Sequence, residues 1–388
     1  MKLFKRLLVA PATLGLLAPL AVNASEVNLN DVSGYTETAE VESLKEFDSS
    51  SSALLAGGEG LVDDHSHDGS FSETTTASFS ADFAVASEDG GSEAVQAYYG
   101  FQIDLNTSFT GEDSLDVSID AGNSGGAASE FDLNGAHATG GSDVLSIDGV
   151  AYTFPVADAT VFVGDNMDGS TLYNTACVYG GPSNTLDDCG NPNAALGGGS
   201  GTAAGASYEF GDGFAVAVGY TGAGSSTSGL MTKEGTDAFG GQVSYVADLY
   251  GVSVTAAAIE DYAEVEGNTG DRNFIALNGY LTPESTGAIP SISVGYEVGT
   301  AQGMSDLNAW FVGLQWDEAG PGTFGTAIGT QGATKDIAGD DPQLLMYEAF
   351  YSYEINDGMT ITPLIYTKET KPASDDKTGV MVKTSFSF

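Results

Sequence analysis

The sequence predicts an all-β fold, a transmembrane antiparallel β-barrel of about sixteen strands. Three observations predict it. Segments alternating apolar and polar residues recur from about Ser72 to the last residue. The connections between them alternate between tight turns and long loops. An export leader comes first, and no later stretch approaches the roughly 18 apolar residues that a spanning helix needs.

Composition narrows the field. The chain has 388 residues, with 11 Lys and Arg against 54 Asp and Glu, and a formal charge of −43. Such a chain has too few cations to neutralise phosphates, so nucleic acid is excluded as a partner. The 53 glycines follow no three-residue period, which excludes collagen, and 41% hydrophobic residues argue against global disorder. Gly, Ser and Thr are poor helix formers, whereas Tyr and Phe favour strands.

The elements follow in order. Lys2, Lys5 and Arg6 form a positive n-region, residues 7–22 an apolar h-region broken by Pro11 and Pro19, and Val22-Asn23-Ala24 a cleavage site before Ser25. Residues 1–24 therefore read as a signal peptide, and its removal takes the formal charge from −43 to −46. Residues 25–71 are rich in Ser, Gly and acid and read as a mobile tether. The barrel is expected over residues 72–388.

Within it, strands are expected near 72–87, 94–108, 112–121, 143–155, 158–164, 202–210, 213–221, 237–247, 249–259, 270–281, 289–298, 306–317, 322–330, 343–354, 357–367 and 378–388. The second shows the pattern well, with Tyr99, Phe101, Ile103, Leu105, Thr107 and Phe109 on one face and Gln102, Asp104 and Asn106 on the other. The segment Glu130–Asn134 is alternating too, but is assigned to the loop after the third strand. Making it a strand would put the longest loop on the wrong side.

Connections after strands 2, 4, 6, 8, 12 and 14 are tight, and the one after strand 10 is slightly longer. Those after strands 3, 5, 7, 9 and 13 run from about ten to nearly forty residues. Short turns at one end and long loops at the other is the arrangement of outer-membrane barrels. Tyr351, Tyr353, Trp310, Trp316, Phe386 and Phe388 sit near strand ends on the apolar face, where a membrane barrel places its interfacial rings.

The ending Thr384-Ser385-Phe386-Ser387-Phe388 resembles the terminal strand of outer-membrane barrels, which implies recognition of Phe386 and Phe388 by the barrel-assembly machinery. The opening MKLFKRLLVAPATLGLLAPLAVNASEVNLNDVSGY and the segments at 71–86, 104–123 and 150–165 resemble the Som-type porins of cyanobacteria. These are grouped with OprB-like carbohydrate-selective porins, and some are named iron-uptake porins. The resemblance implies an outer-membrane pore for small hydrophilic solutes, embedded in lipid, with the trimer of general porins as the expected assembly and with no cofactor and no enzymatic chemistry. Members usually carry a surface-layer-homology domain before the barrel. Here the 25–71 segment stands in its place.

In trimeric porins the loop after the fifth strand folds inward as the constriction. The corresponding segment, about 165–201, carries Asp165, Asp168, Asp187 and Asp188 and no Lys, Arg or His. Alternation points Asp82, Asp104, Asp116, Asp120, Glu297, Glu348 and Glu354 into the lumen. The barrel has one arginine, Arg272, and six lysines, too few for the arginine row that general porins set across the eyelet. Carboxylates unmatched by cations attract cations and repel anions, so a cation-preferring pore is expected.

Cys177 and Cys189 lie in the same loop, and export makes a disulfide between them the expectation. The only metal-like cluster surrounds His65 and His67, flanked by Asp63, Asp64 and Asp68. It could hold a divalent ion, but in a Ser- and Gly-rich tether it reads first as solvated chain. No nucleophile elbow, phosphate loop or zinc-protease motif is present. Two other readings stand beside the pore, namely a barrel plugged by its long loops and a secreted acidic β-protein such as an adhesin or coat protein.

Overall fold

The computed structural model describes residues 74–90, 93–123, 130, 133, 143–196, 201–223, 229–232, 235–260, 271–301, 307–332, 343–371 and 374–388. The leader, the 25–71 segment and His65 and His67 lie outside the described residues.

Sixteen strands form one sheet. They are β1 (Thr75–Asp89), β2 (Gln96–Thr107), β3 (Ser114–Gly122), β4 (Ser146–Val156), β5 (Ala159–Met167), β6 (Gly201–Phe210), β7 (Phe214–Gly222) and β8 (Asp237–Val246). Then come β9 (Tyr250–Ile259), β10 (Arg272–Leu281), β11 (Ser291–Ala301), β12 (Leu307–Ala319), β13 (Gly322–Thr330), β14 (Leu345–Asn356), β15 (Met359–Lys368) and β16 (Lys377–Ser387). Each pairs antiparallel with its sequence neighbours, and β1 pairs with β16 from Ser80↔Ser387 to Asp89↔Thr378, so the sheet closes on itself. Closure leaves no open edge, so backbone groups along the wall pair with the next strand, and a few N–H groups, such as those of Tyr99, Trp310 and Leu345, are met by the side chains of Asn123, Thr330 and Glu369. The last residue takes part, because Phe388 and Phe79 exchange backbone hydrogen bonds of 3.0 and 2.9 Å.

The faces are inverted relative to a soluble protein. In β9, Val252 and Val254 are exposed while Gly251, Ser253, Thr255 and Ala257 are buried. In β11, Val294, Tyr296 and Val298 are exposed while Ser291, Ser293 and Glu297 are buried. The outer surface is thus an apolar band, and on these strands the inner face is small and polar. Water does not tolerate so large a continuous apolar surface. Aromatic rings collect where that band meets the short-turn end. Phe79 stacks on Phe388 at 5.8 Å, Phe210 on Phe214 at 5.8 Å, Tyr245 meets Tyr250 at 5.5 Å and Trp316 meets Phe324 at 5.6 Å.

The turns have local causes. Asp113 closes the β2–β3 turn by accepting from the backbone N–H groups of Phe109 and Thr110 at 2.9 and 2.8 Å and from the Ser108 and Thr110 hydroxyls at 2.9 and 2.8 Å. The Tyr152 hydroxyl on β4 adds a fifth bond of 2.6 Å. That bond, with the turn donors, holds the Asp113 carboxyl well below the usual carboxylate range. Connection lengths depart from strict alternation. The β1–β2 and β11–β12 connections are shorter than the one joining β10 to β11, although they lie at the long-loop end.

The barrel is not hollow throughout. Tyr179, Leu186 and Cys189 from the β5–β6 loop and Leu133 from the β3–β4 loop pack with Phe311, Met346, Phe350, Leu364, Tyr366 and Met381 of the wall. A second cluster joins Ala194 and Leu196 of the loop to Phe274, Ala276, Leu307 and Ala309. The apolar core therefore sits inside the barrel, between the loops and the wall, and takes in Ala84 and Ala86 of β1, Tyr98 of β2 and Ala257 of β9 as well.

Candidate pore constriction

The β5–β6 loop enters the barrel as a strap laid across the strands. Four alternate backbone N–H groups donate to four inward side chains. Asn174 donates to Gln242 on β8 at 2.6 Å and Ala176 to Ser253 on β9 at 3.0 Å. Val178 donates to Ser293 on β11 at 3.0 Å and Gly180 to Gln315 on β12 at 2.9 Å. Six extended residues reach about 20 Å, and the four strand spacings from β8 to β12 are about 19 Å. The strap and the wall are therefore commensurate. An extended chain with no strand partner must find acceptors elsewhere, and the polar inner face supplies them.

Tyr179 anchors the strap further on. Its hydroxyl donates to Glu348 Oε1 on β14 at 2.5 Å, and its ring lies 5.3 Å from Phe311 and 5.9 Å from Phe350. The returning leg is held by β10 and β11. Asn278 donates to the Cys189 carbonyl at 3.0 Å, and Glu297 accepts from the backbone of Asn193 and Ala194 at 3.0 and 2.7 Å. Gly295 explains how the leg comes so close, since a Cβ there would stand 1.7 Å from the Cys189 carbonyl oxygen. Cys177 and Cys189 form a disulfide that ties the outgoing leg to the returning one.

A second loop grips the first. Glu130, from the β3–β4 loop, accepts the Thr185 N–H at 3.1 Å and forms a salt bridge with Lys368 on β15, while its carbonyl accepts the Asn184 N–H at 3.1 Å. Lys368 also donates to the Thr185 hydroxyl at 3.0 Å. Neither the role of Glu130 nor that of Lys368 was legible in the sequence. They stand 238 positions apart, and no periodicity relates a loop acid to a strand end.

The acids expected at the constriction divide. Asp187 is exposed and Asp188 half-buried on the returning leg. Burial, then Asp187, then Glu297 push the Asp188 carboxyl up to about 7. Asp168 lies at the start of the loop, its carbonyl accepting the Thr171 N–H at 3.2 Å. Asp165 is a correction. The strand continues to Met167, and Asp165 shares the outward face with exposed Val163, bonding there to Thr202 at 2.9 Å. It does not border the lumen.

The strand acids divide too. All seven occupy inward positions, but the inner face is layered. Asp82, Asp120, Glu297 and Glu348 are buried, with Lys383 at 3.8 Å from Asp82 and the Ser146 hydroxyl 2.8 Å from Asp120. Asp104 and Asp116 are half-buried, held by Ser118 at 2.6 Å and Ser114 at 2.7 Å. Glu354 is exposed at the short-turn end, beside the register shift between Glu354 and Asn356. The inward lysines of β15 and β16 are all engaged, Lys368 with Glu130, Lys377 with Glu88 at 3.1 Å and Lys383 with Asp82.

Between the loop and the long-loop end of β12 and β13 lies a cavity of about 350 Å³, lined by Asp188, Pro192, Phe311, Gln331 and Lys368 among others.

This architecture has solved counterparts. OprB of Pseudomonas putida, in its high-pH structure, matches at 13% identity and a TM-score of 0.57, over 81% of this chain and 94% of that one. An anion-selective porin of Comamonas acidovorans matches at 14% identity and 0.53, over 81% and 99%. OmpF of Salmonella typhi, solved in complex with daunomycin, matches at 11% identity and 0.54, over 80% and 97%. No family model and no curated protein matches the sequence. At these identities the likeness establishes the fold, that of a porin barrel.

Proposed function

We propose that the chain is an outer-membrane porin that passes small hydrophilic solutes by passive diffusion, with cations preferred. The carrying observation is the inward-folded β5–β6 loop, which bears acids and no Lys, Arg or His and faces a wall whose β15 and β16 lysines are already paired. A fold of this kind hosts opposite selectivities, one counterpart being anion-selective, so the sign rests on this chain's own charges. Surface acids beyond a Debye length of about 8–10 Å are screened by salt, whereas acids in a narrow lumen are screened less.

The apolar outer band and its aromatic rings support insertion in a bilayer, and the leader supports export. Inorganic ions, iron among them, and carbohydrates are the solutes that the resemblance to OprB-like porins suggests. A homotrimer fits the same resemblance. The work needs no cofactor and no bond chemistry, only a hydrated path and its field.

The apolar layer between loop and wall favours one rival, a barrel plugged by its loops. Single-channel recording in a planar bilayer under a salt gradient separates the two. Stepwise currents with a cation-selective reversal potential are expected. Silent bilayers containing folded protein would establish the plug, and steps without cation preference would keep the pore and remove its selectivity.

A further inference from the structure

We infer that Glu130 sets the charge sign at the long-loop end of the constriction by neutralising Lys368, an inference that rests on the cation-preferring pore proposed above. Lys368 ends β15 with inward parity and is the cation among the residues lining the 350 Å³ cavity. Its cross-strand partners cannot balance it. Met346 stands opposite on β14, and on β16 the register partner is another lysine, Lys377.

Like charges directly opposite each other repel. Lys377 is answered locally by Glu88 on β1. Lys368 is answered by a residue from elsewhere in the chain, Glu130 of the β3–β4 loop. With Glu130 in place the spot is neutral, and Asp187 and Asp188 dominate the field. With its charge removed, an ammonium faces the cavity beside Thr185 and opposite Lys377, and cations meet a positive collar before the acids.

Glu130 also holds the loop through the Thr185 N–H, so the test must separate charge from anchoring. Glu130→Gln removes the charge and keeps an acceptor for that N–H. Lys368→Met removes the opposing charge. Reversal potentials in a potassium chloride gradient give the cation-to-anion permeability ratio for wild type, E130Q, K368M and the double variant. Glu130→Gln is expected to lower the ratio at least about two-fold, and the double variant to return it to within about that margin of wild type. A merely structural role predicts no return, because the double variant loses both partners.

If wild type conducts with cation preference and E130Q leaves the ratio unmoved, or the double variant stays with E130Q, the inference is overturned and the porin reading survives. If wild type is silent or shows no cation preference, the parent reading fails and the inference falls with it.

Discussion

Asp188 is the loop carboxyl whose charge is set by its surroundings. Burial opposes its ionisation, and Asp187 and Glu297 oppose it further, so it titrates at about 7. Two consequences follow, with opposite signs as pH rises. Because the folded state holds this proton more tightly than the unfolded chain does, its contribution to stability is lost as pH rises from about 4 through 7. Over the same window the loop gains negative charge. Cation preference is therefore expected to increase between about pH 5.5 and 8 and to be flatter in Asp188→Asn, read as reversal potential against pH. An equally steep profile in the variant would move the titration to another group. Asp188 was visible in the sequence as a loop acid, but its shift was not, since that depends first on burial and then on its charged neighbours, among them Glu297 more than a hundred positions away. Asp165 shows the opposite failure. Its side chain looked available until the strand was extended by three residues, which gave it an outward parity.

At the scale of the element, the strap shows how an unpaired segment is fixed. Each wall acceptor serves a specific N–H, so removing one leaves that donor stranded. Ser253→Ala takes the partner of the fully buried Ala176 N–H, at a cost of about 1–3 kcal/mol. The expected outcome is faster hydrogen exchange in residues 174–180 with the strands still protected. Exchange that rises equally throughout the wall would mean that the strap is part of the global unfolding unit. The disulfide acts on the same element. Replacing Cys177 and Cys189 with Ser removes a constraint typically worth about 2–4 kcal/mol, mostly through the denatured chain. The remaining bonds to Gln242, Ser293, Gln315 and Glu297 keep the strap seated, so the open-state current should become noisier without loss of the folded, heat-modifiable band on a gel. An unchanged noise spectrum would leave the bridge without a role in the pore.

At the scale of the whole molecule, the wall was legible and its contents were not. All sixteen expected strands exist, with ends within three residues of those expected. The reason is physical, since strands such as β9 and β11 separate an apolar outer face from a polar inner one and write that separation into the sequence with period two. The inner layer carries no such signature. The strap, Glu130 and Lys368 meet through contacts between residues far apart in sequence, and parity says which way a side chain points but not what covers it. That is why Glu297 and Glu348 read as solvated lumen acids and turn out to hold the loop.

The wall itself makes a claim that its two tryptophans can test. Trp310 and Trp316 both lie on the outward face of β12, opposite Tyr296 and Phe324. They are the only tryptophans in the chain. Six residues separate them by about 20 Å along the strand, or about 15 Å along the bilayer normal at a tilt near 40°. In vesicles of lipids brominated at defined acyl positions, Trp310→Phe and Trp316→Phe each leave one reporter. Both reporters are expected to be quenched, with Trp316 nearer the short-turn interface and Trp310 deeper or nearer the opposite one. Quenching of neither, in protein that keeps its strand content, would remove β12 from the lipid-facing surface and with it the membrane reading of the apolar band.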